Sequence, residues 1–367
     1  MKIPGYIKFV FLSLAVIIFF FFLYVASFIL IPMALGLLLA ILLLPINRFF
    51  EKIRLSRFWA VLLTIIIAFI VLSAVIVGLS IPVSRLIDDI PQIGEKLLGV
   101  VGQFQEFFKD NLDMEPQFQS DYIKDHLSNI LQRGSAFFSG TLTATANAFS
   151  FGVILLLSVF FILYYRSFFR EFLERIFPDH LQETLSRLIA NTKRLVSDYI
   201  NGLLLMMLTV GTLNTLGLWI LGIEYPILWG GLSGLLAVIP YIGISIGGLL
   251  PFLFALVTTD SLLYPLGVVA IFGFVQFLEG NFITPNIMSN KVSLNPYAVI
   301  IAIFIGGKIW GIAGIILFIP YLAVLKNILD EFEQTKAVGF LLGNPDREQE
   351  NPGTWEKLKE KLGLNKD

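Results

Sequence analysis

The feature that most constrains the fold is a long, nearly uncharged stretch in the second half of the chain. Between Tyr199 and Leu325, five of 127 residues carry a formal charge: Glu224, Asp260, Glu279, Lys291 and Lys308. Soluble domains carry about 25% charged residues, so this stretch belongs in lipid. Glycine, proline and asparagine interrupt it, and irregular backbone is tolerated at membrane depth only where it lines a cavity or is buried in protein. The pattern is more typical of a protein that moves something across the membrane than of a segment that only anchors a protein in it.

The composition of the whole chain excludes several other classes. Hydrophobic residues make up 56% of the 367 residues, which indicates a polytopic membrane protein. The net charge of −1 gives no reason to expect nucleic acid as a partner, and a chain without cysteine has no disulfide or thiolate metal site. The motifs GxxxxGKS/T and HExxH are absent. We therefore expect neither an ATP-driven pump nor an enzyme, and no cofactor.

The distribution of charge predicts the topology. Segment 45–58 has four basic residues and one acid, and segment 165–198 has six basic residues and five acids. Segment 83–138 has five basic residues and nine acids. By the positive-inside rule the first two segments are cytoplasmic and the third lies outside, which also makes the N- and C-termini cytoplasmic.

The apolar segments predict an all-α polytopic membrane protein of about eight membrane segments. Six crossings are simple: two within residues 8–44, with the turn near Ser27 to Pro32, and one each at 58–80, 140–164, 199–222 and 261–280. Two segments are broken, 225–257 at Pro240 and 297–325 by glycines. Split at Pro240, the first gives two arms of about 15 residues, each ~22 Å long and short of a hydrocarbon core of ~30 Å. Both broken segments admit two readings. They are re-entrant helical hairpins entering from opposite faces, or tilted full crossings.

The chain therefore divides into four regions. They are N-terminal membrane helices (1–82), an extracytoplasmic helical segment (83–138), a transport core (139–326) containing a cytoplasmic helical segment (166–198), and a cytoplasmic tail with an amphipathic helix (327–367). The motifs AVIPYIG and LFIPYLA echo each other in the two broken segments. Inverted repeats with broken helices are a recurring transporter design, but this echo is short and leaves a true repeat open.

Glu279 is the strongest candidate for a functional residue. It ends an apolar crossing within QFLEGNFITPN, and an ionisable group at such a position suggests a functional site. Freed carbonyls, a carboxylate and amides there would coordinate a cation or hydrogen-bond a polar solute. The neighbouring candidates are Asn281, Thr284, Pro285 and Asn286. The alternative is an interfacial loop in which Glu279 faces water.

The break in IPYIG is the second candidate. Pro240 removes a backbone donor, Gly243 allows unusual backbone angles, and the hydroxyl of Tyr241 needs a partner if it is buried. A hairpin tip that meets a permeation path would have this composition. A tight turn at an interface would have it as well.

Three further polar residues lie in or beside apolar segments. Three roles are open for Lys308: it lines a polar cavity, it pairs with an acid such as Glu279, or it extends from a hairpin tip to the lipid headgroups. Asn214 lies deep in its crossing and is suited to joining helices. Asp198 is expected at the cytoplasmic interface.

Five segments of the sequence resemble segments of a known protein family. They are LLPINRFFEKIRLSRFWAVLLT (43–64), FFILYYRSFFREFLERIFPD (160–179), SDYINGLLL (197–205), LGIEYPILWGGLSGLLAVIPYIG (221–243) and the stretch from QFLEGNFITPN through LFIPYLAVLK (276–326). In these segments and their order the chain resembles the autoinducer-2 exporter family. The resemblance implies a transporter of the bacterial inner membrane with about eight membrane segments, assembled as a homo-oligomer such as a pentameric ring.

The family resemblance fixes the class better than the cargo. One reading is an exporter of a small polar solute such as the quorum-sensing signal autoinducer-2. A second is a sodium (or lithium)/proton antiporter in which Glu279 binds Na⁺, without a structural metal. A third is a membrane scaffold that transports nothing.

Overall fold

The computed structural model describes residues 4–112, 145–239, 242–259, 261–287 and 294–344. Within these ranges every regular element is a helix, apart from one isolated β-bridge. Six helices are long and apolar enough to cross a membrane, and a pair bent by 68° would make a seventh span. The predicted all-α polytopic fold is confirmed.

The order of the helices follows the apolar pattern of the sequence. They are α1 (Gly5–Val25), α2 (Ser27–Lys52), α3 (Arg57–Leu112), α4 (Thr145–Tyr164), α5 (Arg166–Ile176), α6 (Gln182–Leu221), α7 (Pro226–Leu236), α8 (Ile242–Thr258), α9 (Leu263–Leu278), α10 (Thr284–Ile287), α11 (Pro296–Glu331) and α12 (Lys336–Leu342). The bent pair is α4 and α5. A 3₁₀ turn precedes α6, and a π-helical turn (Glu279–Ile283) joins α9 to α10.

The junction between the first two helices is shorter than the turn that the sequence predicts. The prediction placed it near Ser27 to Pro32, but α1 and α2 are separated by Ala26 alone. Pro32 lies buried inside α2. Membrane helices accommodate such a proline because neighbouring helices and local adjustments satisfy the freed carbonyl.

Two predicted regions are described only in part. Of the extracytoplasmic segment, α3 covers the residues up to Leu112, while 113–138 lie outside the described residues. Of the tail, the end of α11 and α12 are described. The predicted amphipathic helix at 354–364 lies outside the described residues.

The first compact unit combines Met1–Ile66, Phe151–Gly202 and Met288–Asp367. Two hydrogen bonds tie α11 to the N-terminal helices. The indole Nε1 of Trp310 donates to the carbonyl of Leu23 at 2.8 Å, and the hydroxyl of Tyr321 donates to the carbonyl of Ala34 at 2.9 Å. Amphipathic aromatic side chains thus satisfy main-chain acceptors between otherwise apolar helices.

A polar network joins the two segments whose charge predicts a cytoplasmic location. Arg166 donates to the side-chain oxygen of Asn47 at 2.8 Å and forms an ion pair with Glu51. Arg57 donates to the carbonyl of Tyr164 at 3.1 Å. The loop after α2 and the bend between α4 and α5 therefore lie at the same end of this unit, as the positive-inside rule requires.

Helix α11 is broken near its middle. Gly311 adopts φ 59° and ψ −138°, which lies far from helical values and is accessible to glycine because it lacks a Cβ. Across the break the backbones of Gly306 and Gly314 touch. A Cβ on Gly306 would lie 2.5 Å from the carbonyl oxygen of Gly314. In a straight helix, residues eight positions apart are separated by ~12 Å along the axis, so the two arms fold back on each other.

The start of α11 also meets the end of α12. Leu294 forms an antiparallel bridge with Gly343, and the amide of Asn295 donates to the carbonyl of Leu342 at 2.9 Å. The chain after α11 therefore returns through α12 to the point where α11 begins, although α11 has the length and hydropathy of a single span. Its arms, of about 15 and 20 residues, measure ~22 and ~30 Å.

The second compact unit combines Ile67–Ser150 and Leu203–Ile287 and contains the other hairpin, α7 and α8. At its tip the backbone of Gly243 packs against the carbonyl of Leu236, leaving no room for a Cβ. At its open end the rings of Tyr225 and Phe254 are 6.0 Å apart. The ends of this hairpin also lie together, and with it the described membrane segments number eight.

Candidate transport site

The segment QFLEGNFITPN forms a π-helical turn between α9 and α10. The segment departs from ordinary α-helix in the turn Glu279–Ile283. Such turns are rare and occur frequently at functional sites because they change the direction of the side chains. The segment is therefore helical throughout its described part and is not an open loop.

The carboxylate of Glu279 is half-buried and held by two neutral donors. The amide Nε2 of Gln276 donates to Oε2 at 2.6 Å, and the hydroxyl of Thr284 donates to Oε1 at 3.2 Å. No basic side chain among the described residues lies within 4.0 Å of this carboxylate. Its charge is thus met by hydrogen bonds and is not neutralised by an ion pair.

Gln276 was missed in the sequence analysis. Its spacing was the available signal, because residues three positions apart lie on the same face of a helix. With Glu279 and Thr284 it makes a compact cluster of oxygen and nitrogen atoms at the end of α9.

The asparagines of the segment have a different role. The side-chain amide of Asn281 donates to the carbonyl of Phe277 at 2.9 Å, and that of Asn286 donates to the carbonyl of Phe282 at 2.7 Å. Both side chains are exposed, and neither hydrogen-bonds Glu279. Pro285 belongs to α10, and its side chain lies outside the described residues.

A hydrophobic cluster links the π-helical turn to the α7–α8 hairpin. Met206, Val210 and Val275 are buried, and Ala237 and Ile283 pack against this cluster. Ala237 follows the end of α7 and Ile283 ends the π-helical turn. The sequence around the predicted hairpin tip and the sequence around Glu279 are thus brought to one region of the second unit.

Of the three candidate residues at this tip, Gly243 is described and buried. The predicted candidates Pro240 and Tyr241 lie outside the described residues. The backbone of Gly243 lies so close to Leu236 that a larger residue would not fit, so packing alone explains a glycine at this position.

Asn214 joins α6 to α7. Its side chain is 2% exposed and donates to the hydroxyl of Ser233 at 2.9 Å, and that hydroxyl donates to the carbonyl of Gly230 at 2.8 Å. Glycines bring the helices close here, since a Cβ on Gly234 would lie 2.5 Å from the carbonyl oxygen of Met207. Small residues with an interhelical hydrogen bond are a typical membrane helix contact.

We expect Asn214→Ala and Ser233→Ala to be coupled. Each removes one partner of a buried interhelical hydrogen bond, whose coupling free energy in membrane proteins is about 1 kcal/mol. A double-mutant cycle on the unfolding free energy in detergent measures this coupling. Additive single-variant effects would contradict the expectation.

The two remaining candidates lie in the first unit. Asp198 on α6 has its Oδ2 3.7 Å from Nε of Arg194, one helical turn away. Lys308 is exposed on the first arm of α11 and has no acidic partner within 4.0 Å among the described residues.

Apolar spans, two closed hairpins and a half-buried carboxylate define a polytopic membrane protein of the transporter class. The sequence profile of the AI-2E family transporters matches residues 12–334, and the chain belongs to this family. It is therefore a multi-pass membrane protein with a role in transport, in a family of transporters and not of enzymes.

Several proteins of the family are similar along most of their length. YrrI of Bacillus subtilis (strain 168) is 26% identical over 313 residues, covering 82% of this chain and 86% of its own. PerM of Escherichia coli (strain K12) is 26% identical over 333 residues, covering 85% and 88%. The AI-2 transport protein TqsA of Escherichia coli (strain K12) is 24% identical over 334 residues, covering 88% and 92%.

Proposed function

We propose that this protein is a secondary transporter of the bacterial inner membrane that exports a small polar solute such as autoinducer-2. The observation that carries the proposal is the half-buried carboxylate of Glu279, held by Gln276 and Thr284 at the end of an apolar helix. Polar groups at such positions are costly and mark substrate or ion pathways. The similarity to the AI-2 transport protein TqsA favours autoinducer-2 as the first solute to test.

The donors around Glu279 suit exchange with a hydroxylated solute. Thr284 and Gln276 are neutral, so their hydrogen bonds to the carboxylate are replaceable by solute hydroxyls without separating an ion pair. The arms of the α7–α8 hairpin, 11 and 17 residues long, measure ~17 and ~26 Å and stop short of a full crossing. Such broken elements leave polar backbone near the middle of the bilayer, where transporters bind their solutes.

Glu279 also favours a second function, sodium (or lithium)/proton antiport. The carboxylate has no basic partner among the described residues, so a cation is free to take that place. The carboxylate oxygens and the hydroxyl of Thr284 are hard oxygen ligands of the kind that such cations prefer, and rotation of the Gln276 side-chain amide would add a third. In this version protons and Na⁺ compete for Glu279.

Flux measurements in proteoliposomes separate these functions. Labelled autoinducer-2 is followed in one set of vesicles, and an internal pH-sensitive dye reports proton movement on addition of Na⁺, Li⁺ or K⁺ in another. Solute flux above that of protein-free vesicles supports the exporter. Cation-dependent proton movement without solute flux supports the antiporter, and neither flux would overturn both in favour of the scaffold.

We further propose that the assembly is a homo-oligomer, such as a pentameric ring, with both termini in the cytoplasm. The excess of basic residues in the loop after α2 supports this orientation. The domain boundaries at residues 82, 138 and 326 belong to the same proposal.

A further inference from the structure

The second unit contains a cavity that lies apart from the cluster around Glu279. Its volume is about 720 Å³, and it is bounded by α3, the start of α7 and the end of α8. Beneath it, Phe254 packs in the core with Val268, near the beginning of α9. Glu279 follows the end of that helix, 11 residues and ~16 Å further along.

Charged side chains of both signs line the cavity. Arg85 and Lys96 are on α3, and Glu224 precedes α7. Among the described side chains, no ion pair within 4.0 Å engages any of these three groups. Among the described lining residues two cations thus accompany one carboxylate, and none of the three is engaged by another described side chain.

The wall of the cavity includes a backbone conformation that is rare for its residue type. Tyr225 has φ 58° and ψ 41°, the left-handed region, which is unusual for a bulky side chain. Its ring packs edge-on against Phe254, which also lines the cavity. Strained residues of this kind cluster at ligand-binding sites, where the surrounding structure holds them in place.

We propose that this cavity binds a small hydroxylated organic anion. Arg85 and Lys96 bind the anionic group, Glu224 accepts hydrogen bonds from hydroxyl groups, and Phe254 packs against the carbon skeleton. A volume of about 720 Å³ lies within the usual range of small-molecule sites. The inference rests on the proposed transport function, to which it adds an extracytoplasmic binding site and the chemical class of the solute.

The test compares two ligands with the same six-carbon skeleton, the anion gluconate and the neutral polyol sorbitol. Binding to the purified full-length protein in detergent is measured by calorimetry. We expect gluconate to bind saturably, and Arg85→Gln and Lys96→Gln each to weaken it about tenfold or more, the effect of losing one charge-assisted contact. Lys52→Gln, which removes an exposed lysine of the first unit, is the control and should bind gluconate like the wild type.

Three results would overturn the inference: no saturable gluconate binding, equal affinity for sorbitol, or the same loss of affinity in Lys52→Gln as in the cavity variants. Solute or cation flux is measured in proteoliposomes made from the same purified protein. The failure of the cavity site can then be told from the failure of the transport function. Gluconate binding without any flux would leave the cavity site standing and remove the transport function. Flux that is insensitive to Arg85→Gln and Lys96→Gln, without gluconate binding, would remove the cavity site alone.

Discussion

Replacing Gly314 by valine is expected to prevent the protein from folding. A Cβ at this position would overlap the carbonyl group of Gly306, where the two arms of α11 cross. Because the obstructing atoms are backbone, no side-chain rotation relieves the overlap and the arms must separate. Overpacking of this kind costs about 3 kcal/mol or more. The expected result is loss of monodisperse protein in size-exclusion chromatography and a large fall in the apparent Tm in detergent.

The matched control is Gly273→Val, in the apolar helix α9. A Cβ on Gly273 would meet nothing within 4 Å, so this variant carries the same change in helix propensity and hydrophobicity without an overlap. It should remain folded. If Gly314→Val were as stable as Gly273→Val, the contact between the arms of α11 would be wrong.

Replacing Glu279 by glutamine should remove most of the flux while leaving the protein folded. Glutamine has nearly the same shape and can still hydrogen-bond Thr284, but it has no charge to bind a proton or cation. A hydrogen bond to a charged group contributes roughly 1.5–3 kcal/mol, which corresponds to roughly a 10- to 150-fold loss of affinity. Flux in proteoliposomes, at matched protein incorporation, measures this loss.

Glu183→Gln is the matched control for charge. Glu183 is exposed in the first turn of α6 and belongs to the other compact unit, so the flux of this variant should equal that of the wild type.

Thr284→Ser keeps the hydroxyl donor to Glu279, whereas Thr284→Val removes it. We expect only the valine variant to transport poorly. Full flux in Glu279→Gln would contradict the proposed role of the carboxylate.

The breaks in the two interrupted segments were predictable, whereas the contacts that make hairpins of them were not. Proline and glycine disfavour a continuous helix, so the break between Leu236 and Ile242 and the break near Gly311 could be placed from the sequence. The pairing of Gly306 with Gly314, and the return of α12 to Asn295, depend on tertiary contacts that no local pattern encodes. The turn at Ala26 was misplaced for a related reason, since a buried Pro32 inside α2 depends on neighbouring helices.

The candidate site was predictable in its central residue and not in its partners. An acid at the end of an apolar helix is visible in any sequence, and Glu279 was found that way. The π-helical turn shifts the side chains that follow, so Thr284 meets the carboxylate while Asn281 and Asn286 bond their own helix. Ordinary helical spacing cannot foresee that difference.

Helix α11 turns back on itself, and we expect both of its ends to emerge on one side of the membrane. Because the chain has no cysteine, single cysteines can be introduced at Tyr297 and Gln334, exposed positions at the two ends. Each is treated with a membrane-impermeant maleimide in spheroplasts and in inverted vesicles, with Arg54→Cys as a reference for the predicted cytoplasmic side. We expect Tyr297→Cys and Gln334→Cys to react from the same side as Arg54→Cys. Reaction of the two ends from opposite sides would show a full crossing and contradict it.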